Sequence, residues 1–151
     1  MQRWIVVGVV AVMLAIGGGG FAYWTYKQNR PAPIWVPLPI NSEVSDEKRA
    51  EIAKELKEKL QKPEILIPLS KELDLAKRWN LASPEEAAAE IRKRLFVDLG
   101  TADSPMGRVP SINIGVRGPR KETDISGKIA LRLMQDVWKM LGIKPPAEKP
   151  F

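Results

Sequence analysis

The chain opens with an apolar run over residues 4–26 that contains no Asp, Glu, Lys or Arg. As a helix this run would be about 35 Å long, enough to cross a hydrocarbon core of about 30 Å. Aromatic residues stand at both of its ends, namely Trp4, Tyr23, Trp24 and Tyr26. Because such residues favour headgroup depth, we expect these four to be membrane-interface anchors. The pattern predicts a transmembrane anchor with its flanks over residues 1–30.

A cleaved secretory signal is the alternative interpretation of the same run. Arg3 would be its positive region, residues 5–16 its apolar core, and the glycines of residues 17–20 the small residues before a cut. Both interpretations send the remaining chain through a membrane.

Prolines dominate the segment that follows. They occupy positions 31, 33, 37 and 39, where they forbid a helix. Residues 31–43 are therefore predicted to be an extended stalk or, around residues 34–38, a short edge strand, because an edge strand tolerates proline.

Capping signals mark the helices. Ser45 is predicted to cap a helix with an apolar stripe of Ile52, Leu56 and Leu60, and a break at residues 61–62 precedes a short helix carrying Leu69 and Leu73. Ser83, Pro84, Glu85 and Glu86 form a capping box for a helix that runs to about Leu95. The last helix contains Ile125, Ile129, Leu133, Val137 and Leu141, and ends at Gly142.

Two strands are predicted between these helices. One contains Phe96, Val97 and Leu99, and the other is the alternating segment of residues 111–117, with residues 100–108 as a loop between them. The expected fold is α+β, with two or three strands packed with about four helices in one domain over residues 44–142. Residues 143–151 are predicted to be a proline-rich tail.

The charge balance argues against nucleic-acid binding. Of 24 basic residues, Arg3, Lys27 and Arg30 flank the anchor, which leaves 24 − 3 = 21 basic against 18 acidic residues in the body. A nucleic-acid footprint would show a cluster of one sign. The chain has no cysteine and no histidine, which excludes a disulfide framework and a thiolate metal site.

Short motifs that superficially suggest catalysis have simpler explanations. Ser45-x-x-Lys48 and Ser111-x-Asn113 echo penicillin-binding enzymes, but Ser45 is the helix cap. Glu85 and Glu86 fit the first turn of a helix, where negative charge suits the dipole. We therefore predict no catalytic residue, cofactor or metal site. An enzyme stays open as an alternative that would require a pocket joining Asp98, Asp103 and Arg117.

Two other groups of residues carry expectations. The basic clusters at residues 92–94 and 117–121 are solvated helix and strand ends that could touch acidic glycans or lipid headgroups. Arg117, Arg120 and Lys121 are the candidate glycan or partner contacts. Trp79 and Trp138 adjoin apolar stripes and are expected in the core or at an interface.

Four segments follow one another in a meaningful order: KPEILIPLSKELDLAKRWN, SPEEAAAEIRKRLFVDLGTA, PSINIGVRG and SGKIALRLMQDVWKML. Together with the anchor they resemble the Wzz family of bacterial polysaccharide chain-length determinants, or co-polymerases. The residues that carry the resemblance are Pro63, Leu66, Pro68, Leu73, Leu75, Trp79, Gly100, Thr101, Ile112 to Val116, Ile129, Ala130 and Trp138. Typical members continue into long helices and a second membrane span, which this sequence lacks before its last residue, Phe151.

The resemblance implies a non-catalytic protein of the bacterial inner membrane, with a cytoplasmic amino terminus and a periplasmic α/β domain. It also implies lateral self-association, or association with polysaccharide-assembly proteins, in control of polysaccharide chain length, biosynthesis or export. An envelope scaffold that docks partner proteins by strand addition is the alternative, and a free strand at residues 34–38 would favour it.

Overall fold

The computed structural model describes residues 21–105 and 107–143. In this part of the chain, helices pack on one face of a three-stranded antiparallel sheet, which confirms the predicted α+β class. Residues 21–29 are helical (α1). The further elements are β1 (Pro31–Pro39), α2 (Asp46–Leu60), α3 (Pro63–Glu72), α4 (Leu75–Arg78), α5 (Pro84–Arg94), β2 (Leu95–Ser104), β3 (Gly107–Pro119), a 3-10 turn (Arg120–Glu122) and α6 (Thr123–Leu141).

The predicted membrane segment of residues 4–26 lies outside the described residues up to residue 20, and Trp4 lies outside with it. The predicted proline-rich tail is likewise outside them from residue 144 onwards. Between residues 21 and 143, leaving aside residue 106, no helix is both long enough and apolar enough to cross a membrane.

β1 is the edge strand that was one of the two structures predicted for the proline-rich segment. It pairs antiparallel with the central strand β3, from Pro31 opposite Pro119 to Pro39 opposite Ser111. Just beyond this ladder the N–H group of Ile40 donates to the carbonyl of Pro110 at 2.9 Å. Because N–H groups alternate in direction along a strand, the even-numbered residues of β1 face β3. The prolines occupy odd positions, so the ladder loses no hydrogen bond to them.

The loop predicted over residues 100–108 is wrong. β2 and β3 stay paired through this segment until Ser104 lies opposite Gly107, which leaves residues 105–106 as the connection. The segment is rich in turn-forming residues, so local propensity does not predict a strand there. The strand forms because the segment pairs with β3. Gly107 has a φ of +107°, which residues with a side chain rarely adopt.

The predicted helix ends are confirmed. The hydroxyl of Ser45 accepts a hydrogen bond from the N–H of Lys48 at 3.4 Å, and that of Ser83 accepts from the N–H of Glu86 at 3.2 Å. Gly142 ends α6 in the left-handed region, with a φ of +66°. Each cap satisfies a backbone group that the helix leaves without an internal partner.

The segment between α2 and α5 departs from the prediction in two details. α3 begins at Pro63, directly after the predicted break, and ends at Glu72, so Leu73, which was predicted to lie in this helix, is its C-cap. Asp74 then takes a left-handed conformation, with a φ of 50°, and the unpredicted short helix α4 follows. Leu75 of α4 is fully buried, so packing rather than propensity holds this turn.

One core joins the helices to one face of the sheet. Its fully buried members include Leu60, Leu66, Leu69, Leu75, Ile91, Ile112, Ile114, Val116, Ile129, Leu133, Met134 and Val137. Trp79 and Trp138 pack against this cluster while partly exposed, as predicted. Since the helices cover only this face, the opposite face of the sheet stays open.

Candidate functional site

The open face of the sheet is the most distinctive surface of the described residues. It is formed by Pro31, Pro33, Trp35, Pro37 and Pro39 of β1, by Ser111, Asn113, Gly115, Arg117 and Pro119 of β3, and by Phe96, Asp98 and Gly100 of β2. These residues alternate with the core residues of each strand, because neighbouring side chains of a strand point to opposite faces. We call this surface the open face.

An aromatic row crosses the middle of the open face. Trp35 lies opposite Gly115 on one side, and Phe96 lies opposite Gly115 on the other. Strands are spaced about 4.8 Å apart, so the two aromatic residues stand about 10 Å apart. Because Gly115 has no side chain, no side chain of β3 stands between them, and Gly115 itself is buried. Trp35 is 49% exposed, so this member of the row is accessible to solvent.

Gly115 also allows an unusually close approach of β1. A Cβ atom at this position would lie 2.1 Å from the carbonyl oxygen of Ile34 and 2.7 Å from the Cα of Trp35. Both atoms belong to the backbone and cannot turn away. The close pairing of β1 with β3 at this point therefore depends on Gly115.

Polar side chains border the aromatic row. The guanidinium carbon of Arg117 lies 5.1 Å from the centroid of the Phe96 ring, and Arg117 Nη2 lies 3.6 Å from Asp98 Oδ2. In the neighbouring rows the hydroxyl of Ser111 donates to Asn113 Oδ1 at 3.1 Å. The open face thus combines aromatic rings with a carboxylate, an amide and a guanidinium.

The sequence candidates Arg117, Arg120 and Lys121 do not form one cluster. Arg117 belongs to the open face, whereas Arg120 and Lys121 begin the 3-10 turn that follows β3. The N–H of Arg120 donates to the carbonyl of Arg30 at 2.9 Å, which fixes this turn beside the end of α1. Trp35, Gly115 and Phe96 were not recognised as a site. The one sequence signal for this site was that prolines occupy every second position on both sides of Trp35. The strand register that places Trp35, Gly115 and Phe96 in one row cannot be read from the sequence.

A cleft of about 520 Å³ lies on the helical side, and its lining includes Arg78, Trp79, Glu90, Arg94, Lys121 and Glu122. Arg94 is its centre: its Nε donates to Glu90 Oε1 at 2.9 Å and its Nη1 to Glu122 Oε2 at 2.6 Å. The guanidinium carbon also lies 4.6 Å from the centroid of the Trp79 ring. Trp79 Nε1 is buried and has no hydrogen-bond partner among the described residues.

The ion pairs in the cleft favour the charged forms of Glu90 and Arg94. The hydrogen bond from Arg94 lowers the pKa of Glu90 below its ordinary value, although burial opposes this. Burial alone would lower the pKa of Arg94, but its hydrogen bonds to Glu122 and Glu90 outweigh this effect and the pKa is raised. Glu90 and Arg94 therefore stay charged near neutral pH, which favours a structural role for this ion pair over proton transfer.

Asp98, Asp103 and Arg117, whose shared pocket would favour an enzyme, do not lie together. Asp98 pairs with Arg117, while Asp103 pairs with Arg108 at 3.6 Å, five residues farther along β2. At about 3.3 Å per residue this separation exceeds 15 Å. Within the described part of the chain, no group of three or more acidic residues is arranged to hold a metal ion.

The two edges of the sheet differ in their free backbone groups. On β1 the outward positions are occupied by four prolines and Trp35, so Trp35 provides the one outward N–H group between Pro31 and Pro39. β2 contains no proline, and the register directs the backbone groups of Val97, Leu99 and Thr101 outward. β1 is therefore blocked against strand addition, and β2 is not.

Comparison of the chain with models of protein families, with curated proteins and with solved structures finds no match.

Proposed function

We propose that the chain is a non-catalytic, membrane-anchored protein of the polysaccharide co-polymerase type, acting in chain-length control, biosynthesis or export of a bacterial surface polysaccharide. Its amino terminus would be cytoplasmic and its α+β domain periplasmic. It would act as a homo-oligomer or together with polysaccharide-assembly proteins, and the open face would contact the growing glycan.

The observation that carries this proposal is the aromatic row of the open face. A pyranose ring has an apolar face that stacks on an aromatic side chain and hydroxyl groups at its rim that hydrogen-bond to carboxylates and amides. Trp35, which is 49% exposed, offers the first kind of contact, and Asp98 and Asn113 offer the second. Because the face is shallow and exposed, a single contact would be weak, and affinity would come from repetition in an oligomer.

The resemblance to the Wzz family gives independent support. Leu66, Leu75 and Ile129, which belong to its motifs, are buried in the single core. Gly100 and Thr101 lie in β2 and the alternating motif lies in β3, which carry the open face. The motif residues thus build the framework of the domain, while the proposed glycan contacts lie on the exposed side of the same strands.

The experiment measures the length distribution of the host's surface polysaccharide after deletion of the gene and after restoration. We expect deletion to shorten or deregulate the chains and the unaltered gene to restore them. Restoration with Trp35→Ala should fail, while Leu131→Ala, which removes an exposed apolar side chain from α6, should succeed. Equal amounts of both variants in the membrane fraction are the necessary control. An unchanged distribution on deletion would refute the proposal.

An envelope scaffold is the second candidate function, and the free edge of β2 is the observation that favours it. The strand at residues 34–38 is paired with β3, so the free strand that would favour this alternative is absent there. Docking would instead use Val97, Leu99 and Thr101. Leu99→Pro removes one outward N–H at a position where an edge tolerates proline. If polysaccharide length depends on Leu99→Pro but not on Trp35→Ala, the scaffold is favoured.

A further inference from the structure

Unpaired positive charge gathers at one end of the sheet. Lys27 and Arg30 precede β1, and Arg120 and Lys121 follow β3, which pairs with β1 from Pro31 opposite Pro119. All four are exposed, and none has an ion-pair partner among the described residues. We call these four residues the basic collar.

Nearby acidic residues do not neutralise the basic collar. Glu122 is held by Arg94 at 2.6 Å, and Asp124 lies 3.1 Å from the ammonium group of Lys128. The basic collar therefore presents four positive charges, and no unpaired negative charge lies in the two segments that carry them, the end of α1 and the 3-10 turn. Such a surface attracts a dense negative partner, and the attraction falls with ionic strength.

Aromatic side chains adjoin the basic collar along the chain. Tyr23, Trp24 and Tyr26 of α1 are each more than half exposed, and the guanidinium carbon of Arg30 lies 4.9 Å from the Tyr26 ring centroid. Exposed aromatic residues next to cationic residues are typical of segments at the boundary between lipid headgroups and water. A soluble acidic polymer would match the charge but would give the three aromatic side chains no apolar layer.

We propose that the basic collar binds an anionic phospholipid surface and seats the domain on the bilayer by the end of the sheet that carries Pro31 and Pro119. This goes beyond the proposed function, since it requires no polysaccharide role. Each cation near an anionic surface strengthens binding roughly fivefold. The strands would then rise from the membrane, and Gly107, twelve residues from Pro119 along β3, would lie about 40 Å above it, at about 3.3 Å per residue.

The test uses the full chain in vesicles of phosphatidylcholine alone or mixed with phosphatidylglycerol. Lysines are acetylated briefly, and the reactivity of Lys121 is divided by that of Lys54, an exposed lysine of α2 without an ion pair. We expect this ratio to fall in the anionic vesicles and to recover at high salt. An equal ratio in both vesicles would overturn the proposal.

A second readout separates binding from misfolding. Because the chain has no cysteine, Thr123→Cys gives a unique attachment site for an environment-sensitive fluorophore beside the basic collar. Anionic vesicles should shift its emission to the blue. Arg120→Glu with Lys121→Glu should abolish the shift, and Lys54→Glu with Lys57→Glu should preserve it.

Two further outcomes distinguish the collar from its alternatives. Flotation with phosphatidylcholine vesicles tests the anchor alone, because these vesicles carry no net charge. A chain that fails to float with them would refute the anchor. Protection of Lys121 by anionic vesicles would still support the basic collar in that case. Protection of Lys121 by a soluble acidic polysaccharide in detergent, with none by anionic vesicles, would overturn the lipid proposal in favour of a glycan.

Discussion

The close approach of β1 and β3 at Gly115 predicts a large effect of one added methyl group. Gly115→Ala places a Cβ atom 2.1 Å from the carbonyl oxygen of Ile34, whereas ordinary contact begins at 3.4 Å. The two strands would have to separate by 3.4 − 2.1 = 1.3 Å at this point. That displacement overpacks the site and lengthens the neighbouring ladder hydrogen bonds. We expect a loss of about 2 to 4 kcal/mol in the free energy of unfolding.

Gly127→Ala is the matched control, because it is the same substitution with the opposite expected sign. Gly127 lies inside α6, and an added Cβ would have no heavy atom within 4 Å. Replacing a helical glycine by alanine should raise the free energy of unfolding by about 1 kcal/mol.

The assay is urea unfolding of the chain in detergent, followed by far-ultraviolet circular dichroism, with the slope checked for constancy. The midpoint should fall for Gly115→Ala and rise for Gly127→Ala. A midpoint for Gly115→Ala equal to that of the unaltered chain would refute the close approach of the strands.

Three other perturbations have defined outcomes. Arg94 holds the pKa of Glu90 below its ordinary value of 4.5, so the stability that this pair adds is present above pH 4.5 and is lost as the pH falls through the lowered pKa. The stability gap between Arg94→Met and the unaltered chain should therefore shrink below pH 4.5 in unfolding curves, and a gap independent of pH would contradict this. Pro33→Thr with Pro37→Thr restores two outward N–H groups on β1 and should increase self-association in light scattering, whereas unchanged scattering would count against edge protection. Leu133→Ala empties a fully buried site and should cost about 2 to 5 kcal/mol in the same urea assay, a loss below 1 kcal/mol being inconsistent with its burial.

The helices could be predicted because their signals are local. Ser45, Ser83 and Gly142 each act within a few residues of their own helix end, and the structure places all three as caps. The stripe of α6 is equally local, since a spacing of four residues gathers its apolar side chains on one face.

The sheet was harder to predict because its order comes from distant pairing. Residues 100–104 contain no apolar alternation, yet they form a strand because β3 lies beside them. The aromatic row was harder still to predict. Trp35 and Phe96 are separated by 61 positions in the chain, and they share a row only because both are paired with Gly115. A sequence pattern gives the face on which a residue lies, but not its neighbour across the sheet.

The proline alternation in β1 restricts how copies of the chain could assemble. Along a strand, the direction of the side chain and the direction of the N–H group both alternate with a period of two. Residues at odd positions of β1 therefore share both a sheet face and an outward N–H direction. The prolines remove four of the five outward N–H groups from the outer edge, and Trp35, which also occupies an odd position, lies with them on the open face. A ring in which β1 of one copy pairs with β2 of the next would lack the hydrogen bonds donated by β1 at four of its five outward positions, because proline has a carbonyl but no N–H group. Lateral contacts in the proposed oligomer would therefore use surfaces other than the outer edge of β1.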